Sequence, residues 1–194
     1  MMKRYEFLKI LSPKVSRSLV VVGGSNVGDW ISLEPSDGTF ACHGMVTPLP
    51  IAIGLALALP RQRIIALTTD GAVLMGLGAL VTLAETRPSN LSVIVFDNEL
   101  YEGVSKGEIP THTAMGADIA LMAKGAGLSN SVTVETLKEF ERRMSSVLRT
   151  KGTSLTNIKV DKGAMGVRGV YRDGTEIMYR FVRHIEELEK ISIL

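Results

Sequence analysis

Short runs of apolar residues, many of them β-branched, predict the strands of a sheet that is buried on both faces. Each run is followed by glycine or by short polar residues, and such near-continuous apolar strands are typical of parallel sheets covered by helices. The runs occupy residues 19–22, 64–68 and 91–96, and a further strand is expected at 154–160.

Between these runs, apolar residues recur at the spacing of amphipathic or buried helices. The alternation of strands and helices predicts an α/β fold with a doubly wound, mainly parallel sheet and helices on both faces. We expect one domain over residues 1–194, and an irregular segment or hairpin at 161–174. The expected helices are residues 3–11, 50–59, 72–85, 113–128, 135–148 and 175–191.

The amino-acid composition excludes several classes of protein. Hydrophobic residues make up 45% of the chain, charged residues 22%, and the formal net charge is +2, so neither a disordered chain nor a strongly basic nucleic-acid-binding protein is indicated. A single cysteine excludes a disulfide framework and an iron–sulfur cluster. The apolar stretch 45–60 is interrupted by prolines and is too short to span a bilayer. We expect a cytoplasmic protein that binds no nucleic acid and no membrane.

Polar residues follow two successive predicted strands. Asp70 and Asn98 lie where a parallel sheet binds ligands, beyond the carboxyl ends of its strands. Their side chains carry the oxygen atoms that Mg²⁺ takes as ligands, often together with phosphate oxygens. Gly71 and Ala72 then begin a helix, whose free N–H groups favour a phosphate. These residues predict a site that binds magnesium and a diphosphate together.

Asp70-Gly71, followed after one helix and one strand by Asp97-Asn98, resembles the diphosphate motif of thiamine diphosphate enzymes. That motif is usually written Gly-Asp-Gly and Asn-Asn. Thr69 stands in place of its first glycine, and Asp97 in place of its first asparagine. The resemblance implies Mg²⁺ and thiamine diphosphate as cofactors.

The resemblance also implies a role for each matched residue. The magnesium ligands would be Asp70, Asn98 and the backbone carbonyl of Leu100. The carbonyl of His43 would accept a hydrogen bond from the pyrimidine amino group, and Met45 would support the two rings of the bent cofactor. The remaining cofactor-binding positions implied by the family are Gly44, Gly71, Ala72 and Tyr101.

Tyr101, the triplet Thr111-His112-Thr113 and Arg180-Phe181 narrow the resemblance to the sulfopyruvate and phosphonopyruvate decarboxylases, over about residues 1–185. His112 is predicted to act in catalysis by binding an anionic group or relaying a proton, the alternative being an exposed loop histidine. Glu102 is the second catalytic candidate; proton transfer and a solvated position both stay open. Lys106 is either a solvated charge or a cation that attracts a sulfonate or phosphonate.

In this family the cofactor lies between two domains, and a glutamate of the pyrimidine-binding domain activates it. The resemblance therefore implies a separate α-type subunit that supplies this glutamate, and a hetero-oligomer. The favoured function is decarboxylation of a small 2-oxo acid, with sulfopyruvate first and phosphonopyruvate next. A carboligase related to acetolactate synthase is an alternative because of Leu49-Pro50. A catalytically silent binding or scaffolding subunit is another.

Overall fold

A computed structural model describes residues 2–33, 35–102, 109–163 and 173–194. Within these ranges, six strands form one sheet, and every pairing between neighbouring strands is parallel. The strands are β1 (Leu19–Gly23), β2 (Thr39–Cys42), β3 (Ile64–Thr69), β4 (Leu91–Asp97), β5 (Ser131–Val134) and β6 (Ser154–Lys159).

The helices come between the strands and at both ends of the described chain. Short 3₁₀ helices also lie at Ser12–Lys14 and His112–Met115. None of the helices in the described ranges is long and apolar enough to cross a membrane. The α-helices are α1 (Arg4–Leu11), α2 (Asn26–Ile31), α3 (Pro48–Ala58), α4 (Asp70–Met75), α5 (Gly78–Thr86), α6 (Ile119–Gly125), α7 (Leu137–Val147) and α8 (Gly174–Glu189).

The strand order is β2-β1-β3-β4-β6-β5. From β1 the chain goes to β2 on one side, and α3 then carries it back to β3 on the other side of β1. The order therefore reverses between β1 and β3, which is where ligands bind in open parallel sheets. The loops that follow β1, β3 and β4 meet at this edge.

Helices cover both faces of the sheet, because successive side chains of a strand point to opposite faces. On one face, Val21, Ala66 and Val93 pack with residues of α3, α5, α6 and α8. On the other face, Leu67 and Phe96 pack with residues of α1, α2 and α7. The predicted doubly wound α/β fold is confirmed.

Several element boundaries differ from the sequence prediction. The prediction missed α2 and β2, and it gave residues 132–134 only as the approach to a helix, although they belong to the edge strand β5. The helix expected at 72–85 is divided around Gly76, and the one expected at 113–128 is divided at Gly116, whose φ is 95°. Most of the expected irregular segment, residues 164–172, lies outside the described residues.

Candidate functional site

The site begins at the carboxyl ends of β3 and β4. These strands pair in parallel with Thr69 opposite Phe96, so Asp70 and Asp97 follow at the same level of the sheet. Asp70, Asp97 and Asn98 are 0%, 1% and 5% exposed. Three side chains that favour water are thus buried side by side at the edge where the strand order reverses.

Thr69 caps the helix that carries Asp70. Its backbone is extended, with φ −119° and ψ 161°, and its Oγ1 accepts a hydrogen bond from the N–H of Ala72 at 3.3 Å. Any L-amino acid can adopt this extended conformation, so glycine is not required here, and threonine is a good helix cap. Thr69 therefore fits the position that holds the first glycine of the motif.

Hydrogen bonds hold only one side of the Asp70 carboxylate. Its Oδ2 accepts from the hydroxyl of Thr111 at 2.6 Å and lies 3.1 Å from that of Thr113. Its Oδ1 is buried and has no hydrogen-bond partner among the described residues. Burial raises the pKa of Asp70 to about 6; the Thr111 hydroxyl lowers it and the negative charge of Asp97 raises it further. A buried carboxylate oxygen without a donor is costly by itself and suits a cation.

Asp97 anchors this arrangement from the neighbouring strand. Its Oδ1 accepts from the hydroxyl of Thr113 at 2.8 Å, and its Oδ2 accepts from Asn157 Nδ2 at 3.1 Å. Lys159 Nζ lies 3.0 Å from the same Oδ2 and balances its charge. A chain of contacts thus runs from Lys159 through Asp97 and Thr113 to Asp70.

Asn98 and Leu100 lie in one tight turn after β4. Asn98 Oδ1 accepts from the backbone N–H of Leu100 at 3.1 Å and keeps a second lone pair. Glu99, between them, has a positive φ of 64°, and Tyr101 N–H donates to the carbonyl of Ile109 at 2.9 Å. Among the described residues no three His, Cys, Asp or Glu side chains are gathered as a metal site. A metal here would need amide and main-chain oxygens besides Asp70.

Gly71 is required by a close contact. A Cβ at this position would lie 2.7 Å from Cδ1 and Cε1 of the Tyr101 ring. The ring therefore packs against the first turn of α4, and it links the turn after β4 to the helix after β3. Tyr101 and Gly71, both predicted cofactor-binding residues, are in direct proximity.

The predicted ring-binding segment, residues 43–45, lies in the turn between β2 and α3. His43 and Gly44 are exposed, and Met45 is half-buried. The carbonyl of Gly44 accepts a hydrogen bond from the Thr47 hydroxyl at 2.7 Å. Val46 of this turn lies against Gly76, the residue that follows α4: a Cβ on Gly76 would lie 3.4 Å from Val46 Cβ. The turn is at the same edge of the sheet as Asp70.

The two predicted catalytic residues have different surroundings. His112 is exposed, while Thr111 and Thr113 on either side point inward to Asp70. Glu102 is largely buried and faces Arg4, whose Nη1 donates to Oε2 at 3.3 Å. Burial would raise the pKa of Glu102, but the N–H of Gly163 and the charge of Arg4 outweigh it and lower the pKa. Both catalytic roles stay predictions, and Lys106 lies outside the described residues.

Sequence reasoning missed the hydroxyl groups that orient Asp70. The sequence uses Thr111 and Thr113 only as part of a triplet with His112. Residues two positions apart in an extended segment face the same side, so this spacing could have indicated that both threonines point inward. Asn26 was also missed. It is fully buried after β1, and its Nδ2 donates to the carbonyl of Thr68 at 2.8 Å, which holds β1 to β3 beside the site.

The fold and the site together define a parallel-sheet domain that holds a buried, half-satisfied carboxylate at its switch point. The family model described as thiamine pyrophosphate enzyme, C-terminal TPP binding domain, matches residues 25–158. The chain therefore belongs to the thiamine pyrophosphate enzymes.

Curated relatives are similar over most of the chain. The chain is 32% identical over 151 residues to sulfopyruvate decarboxylase subunit beta of Methanocaldococcus jannaschii. The matched region covers 75% of this chain and 77% of that protein. The chain is 26% identical over 165 residues to phosphonopyruvate decarboxylase of Streptomyces viridochromogenes, covering 84% of this chain and 41% of the relative.

The fold recurs in the crystal structure of benzoylformate decarboxylase from Polynucleobacter necessarius. The TM-score is 0.69 at 23% identity, and the match covers 83% of this chain. The chain spans 33% of that structure's chain. This likeness supports the fold.

Proposed function

We propose that the chain is the cofactor-binding β subunit of a 2-oxo acid decarboxylase that depends on thiamine diphosphate and Mg²⁺, with sulfopyruvate the favoured substrate and phosphonopyruvate the next. The observation that carries the proposal is the buried Oδ1 of Asp70, which has no hydrogen-bond partner among the described residues. Asp70 and Asn98 follow neighbouring strands at the carboxyl edge of the sheet, in a chain similar to sulfopyruvate decarboxylase β subunits.

The residues present fit the cofactor. Asp70, Asn98 and the Leu100 carbonyl would hold Mg²⁺, an oxygen set of the kind this ion takes. Gly71 and Ala72 would lie beside the diphosphate, close to Tyr101. On the far side of the site, the His43 carbonyl, Gly44 and Met45 would meet the rings. When bound, thiamine diphosphate supplies the electron sink for the charge left as carbon dioxide leaves.

The chain's own residues orient these groups. Thr111 donates to Oδ2 of the Asp70 carboxylate, which would leave Oδ1 available to a metal ion. His112, exposed beside them, would face the substrate, where an imidazole binds an anionic group or relays a proton near neutral pH. Glu102 has a lowered pKa and is a carboxylate at neutral pH, where its ion pair with Arg4 favours holding the turn after β4 over the proton transfer that the sequence left open.

A separate pyrimidine-binding subunit would complete the enzyme and supply the activating glutamate. The match to a protein named subunit beta supports a partner. So does an open cleft of ≈ 440 Å³ beside α4, lined mainly by apolar residues that include Val46, Met75 and Leu77. Met75 and Val81 are each 59% exposed, and grouped apolar side chains on a surface mark an interaction site. The assembly would be a cytoplasmic hetero-oligomer.

Reconstitution tests this function. The chain, combined with its pyrimidine-binding partner, should bind thiamine diphosphate in calorimetry only when Mg²⁺ is present, and should release an aldehyde and carbon dioxide from sulfopyruvate. The chain alone should not decarboxylate. A condensed product would favour the carboligase, and cofactor binding without turnover would favour the silent subunit. Absence of Mg²⁺-dependent binding would overturn the proposal.

A further inference from the structure

One buried arginine connects the loops around the site. Arg4, the first residue of α1, is 2% exposed. Its Nε donates to Asp29 Oδ2 at 2.8 Å, and its Nη1 donates to Ser25 Oγ at 2.8 Å and to Glu102 Oε2 at 3.3 Å. Arginine is almost never fully buried unless it is paired, so these contacts are what keep it inside.

The partners of Arg4 come from both sides of the strand that leads to Asp70. Ser25 and Asp29 follow β1, and Glu102 follows β4. In the sheet, β1 and β4 are the two neighbours of β3, whose last residue precedes Asp70. A single guanidinium therefore connects the loops that flank Asp70. The second carboxylate oxygen of Glu102 accepts from the N–H of Gly163, which follows β6, so a third loop joins the same cluster.

Stability alone does not account for this cluster. A buried ion pair gains little over well-packed apolar side chains, because removing charges from water costs several kcal/mol per ion. Arg4 Nη2 is also buried without a hydrogen-bond partner among the described residues, which adds to the cost. The arrangement does, however, fix the distance between loops that carry the site.

We infer that Arg4 and Glu102 are positioning residues for the metal site, an inference that rests on the proposed function. Glu102 lies two residues after Leu100, whose carbonyl is a proposed Mg²⁺ ligand, and one after Tyr101, whose ring packs against Gly71. Mg²⁺ demands near-octahedral geometry, so a displaced Leu100 carbonyl weakens its binding. The Arg4–Glu102 ion pair holds that carbonyl in place without touching the metal.

The test uses the chain reconstituted with its partner subunit and measures Mg²⁺ affinity by calorimetry at saturating thiamine diphosphate. Arg4→Met and Glu102→Gln should each raise the Kd for Mg²⁺ by about 10-fold or more, as indirect metal supports usually do. The double variant should be little worse than either single one. Arg4→Lys, which keeps the charge, should recover part of the affinity. The kcat at saturating Mg²⁺ should change much less than the Kd.

Arg63→Met is the matched control. Arg63 directly precedes β3, so it lies at the edge of the sheet opposite to the site. Its guanidinium donates to the carbonyls of Val147, Leu148 and Thr150. This variant should lower the melting temperature and leave the Kd for Mg²⁺ unchanged. If Arg4→Met does not fold, Glu102→Gln and Arg4→Lys decide the question.

Two results would overturn the inference. One is folded Arg4 and Glu102 variants with the wild-type Kd for Mg²⁺. The other is a Glu102→Gln variant that loses kcat at saturating Mg²⁺ with an unchanged Kd, which would make Glu102 a catalytic residue. If the unmodified, reconstituted chain shows no Mg²⁺-dependent cofactor binding, the proposed function itself has failed, and the inference with it.

Discussion

At the scale of single residues, the site contains a carboxylate that is only half satisfied. The sequence was sufficient to single out Asp70 and Asn98 as predicted metal ligands, because both follow apolar strands and both carry oxygen atoms. It was not sufficient to find Thr111 and Thr113 as partners of Asp70, because hydroxyl groups have no signature until the chain brings them together. Only the structure explains the two departures from the motif. Thr69 caps α4, and Asp97 accepts a hydrogen bond from the Thr113 hydroxyl.

Asp70→Asn should abolish the retention of thiamine diphosphate and make the metal-free chain more stable. Burial raises the pKa of Asp70 from 3.8 to about 6, so the metal-free folded state holds this proton more tightly than the unfolded chain does. The contribution of Asp70 to the free energy of unfolding is therefore most favourable below pH 3.8, falls as the pH rises to about 6, and remains a penalty of about 3 kcal/mol above that. Asparagine carries no such charge. Without Mg²⁺, the variant should unfold at higher urea concentration than the parent chain at about pH 8.

The difference between the two chains should shrink as the pH approaches 4. In the presence of Mg²⁺ and the partner subunit, the same variant should no longer retain thiamine diphosphate. An asparagine variant that is less stable than the parent at every pH, or that still binds the cofactor with unchanged affinity, would show that Oδ1 of Asp70 has another role.

At the scale of elements, the long strands and helices were predictable and the short ones were not. The strands β1, β3 and β4 are nearly continuous apolar runs, which identify them without knowledge of their neighbours. By contrast, β2 has four residues, and its stability comes from pairing with β1, a contact that no local pattern contains. The apolar pattern of 72–85 also continues through Gly76, where contact with the distant Val46 accompanies the break between α4 and α5.

Gly71→Ala tests the contact between α4 and the turn after β4. The new methyl group would lie 2.7 Å from the Tyr101 ring, so the ring and its turn must move. We expect the affinity for Mg²⁺ and thiamine diphosphate to fall about 10-fold or more, since the turn also carries Leu100. Gly54→Ala is the control, because nothing lies within 4 Å of that exposed position in the middle of α3. It should be neutral or stabilise by up to about 1 kcal/mol.

Tyr101→Ala offers a second check on the same contact. If the clash causes the loss, Gly71→Ala should do little further harm in a chain that already lacks the ring. Equal losses of affinity from Gly71→Ala in both backgrounds, measured by calorimetry, would place the effect of the methyl group elsewhere.

At the scale of the whole molecule, the cofactor edge of the sheet adjoins an apolar surface. Leu77 is 43% exposed and Val81 is 59% exposed, both close to the cleft that begins at Val46 and Met75. A folded chain gains nothing from such groups in water, so this surface is where the proposed partner would bind. The partner would then enclose the cofactor between the two chains.

Leu77→Asp combined with Val81→Asp should prevent this association. A charge in a buried apolar interface is strongly unfavourable, whereas both positions tolerate a charge in the free chain because they are exposed. Light scattering of the mixed subunits should show separate chains, with the melting temperature of the isolated chain nearly unchanged. Leu188→Asp, at an exposed position near the end of α8, should leave the complex intact. A complex that survives the double substitution would move the interface to another face.

The extended backbone at Thr69 bears on how the family is recognised. A search pattern that demands glycine on both sides of the aspartate would pass over this chain. Of those two positions, only residue 71 excludes a side chain by contact, whereas residue 69 has a negative φ open to every L-amino acid. A pattern that admits serine, threonine, asparagine or aspartate before Asp-Gly would follow the physical requirement, and it should gather further members whose diphosphate loops have been overlooked.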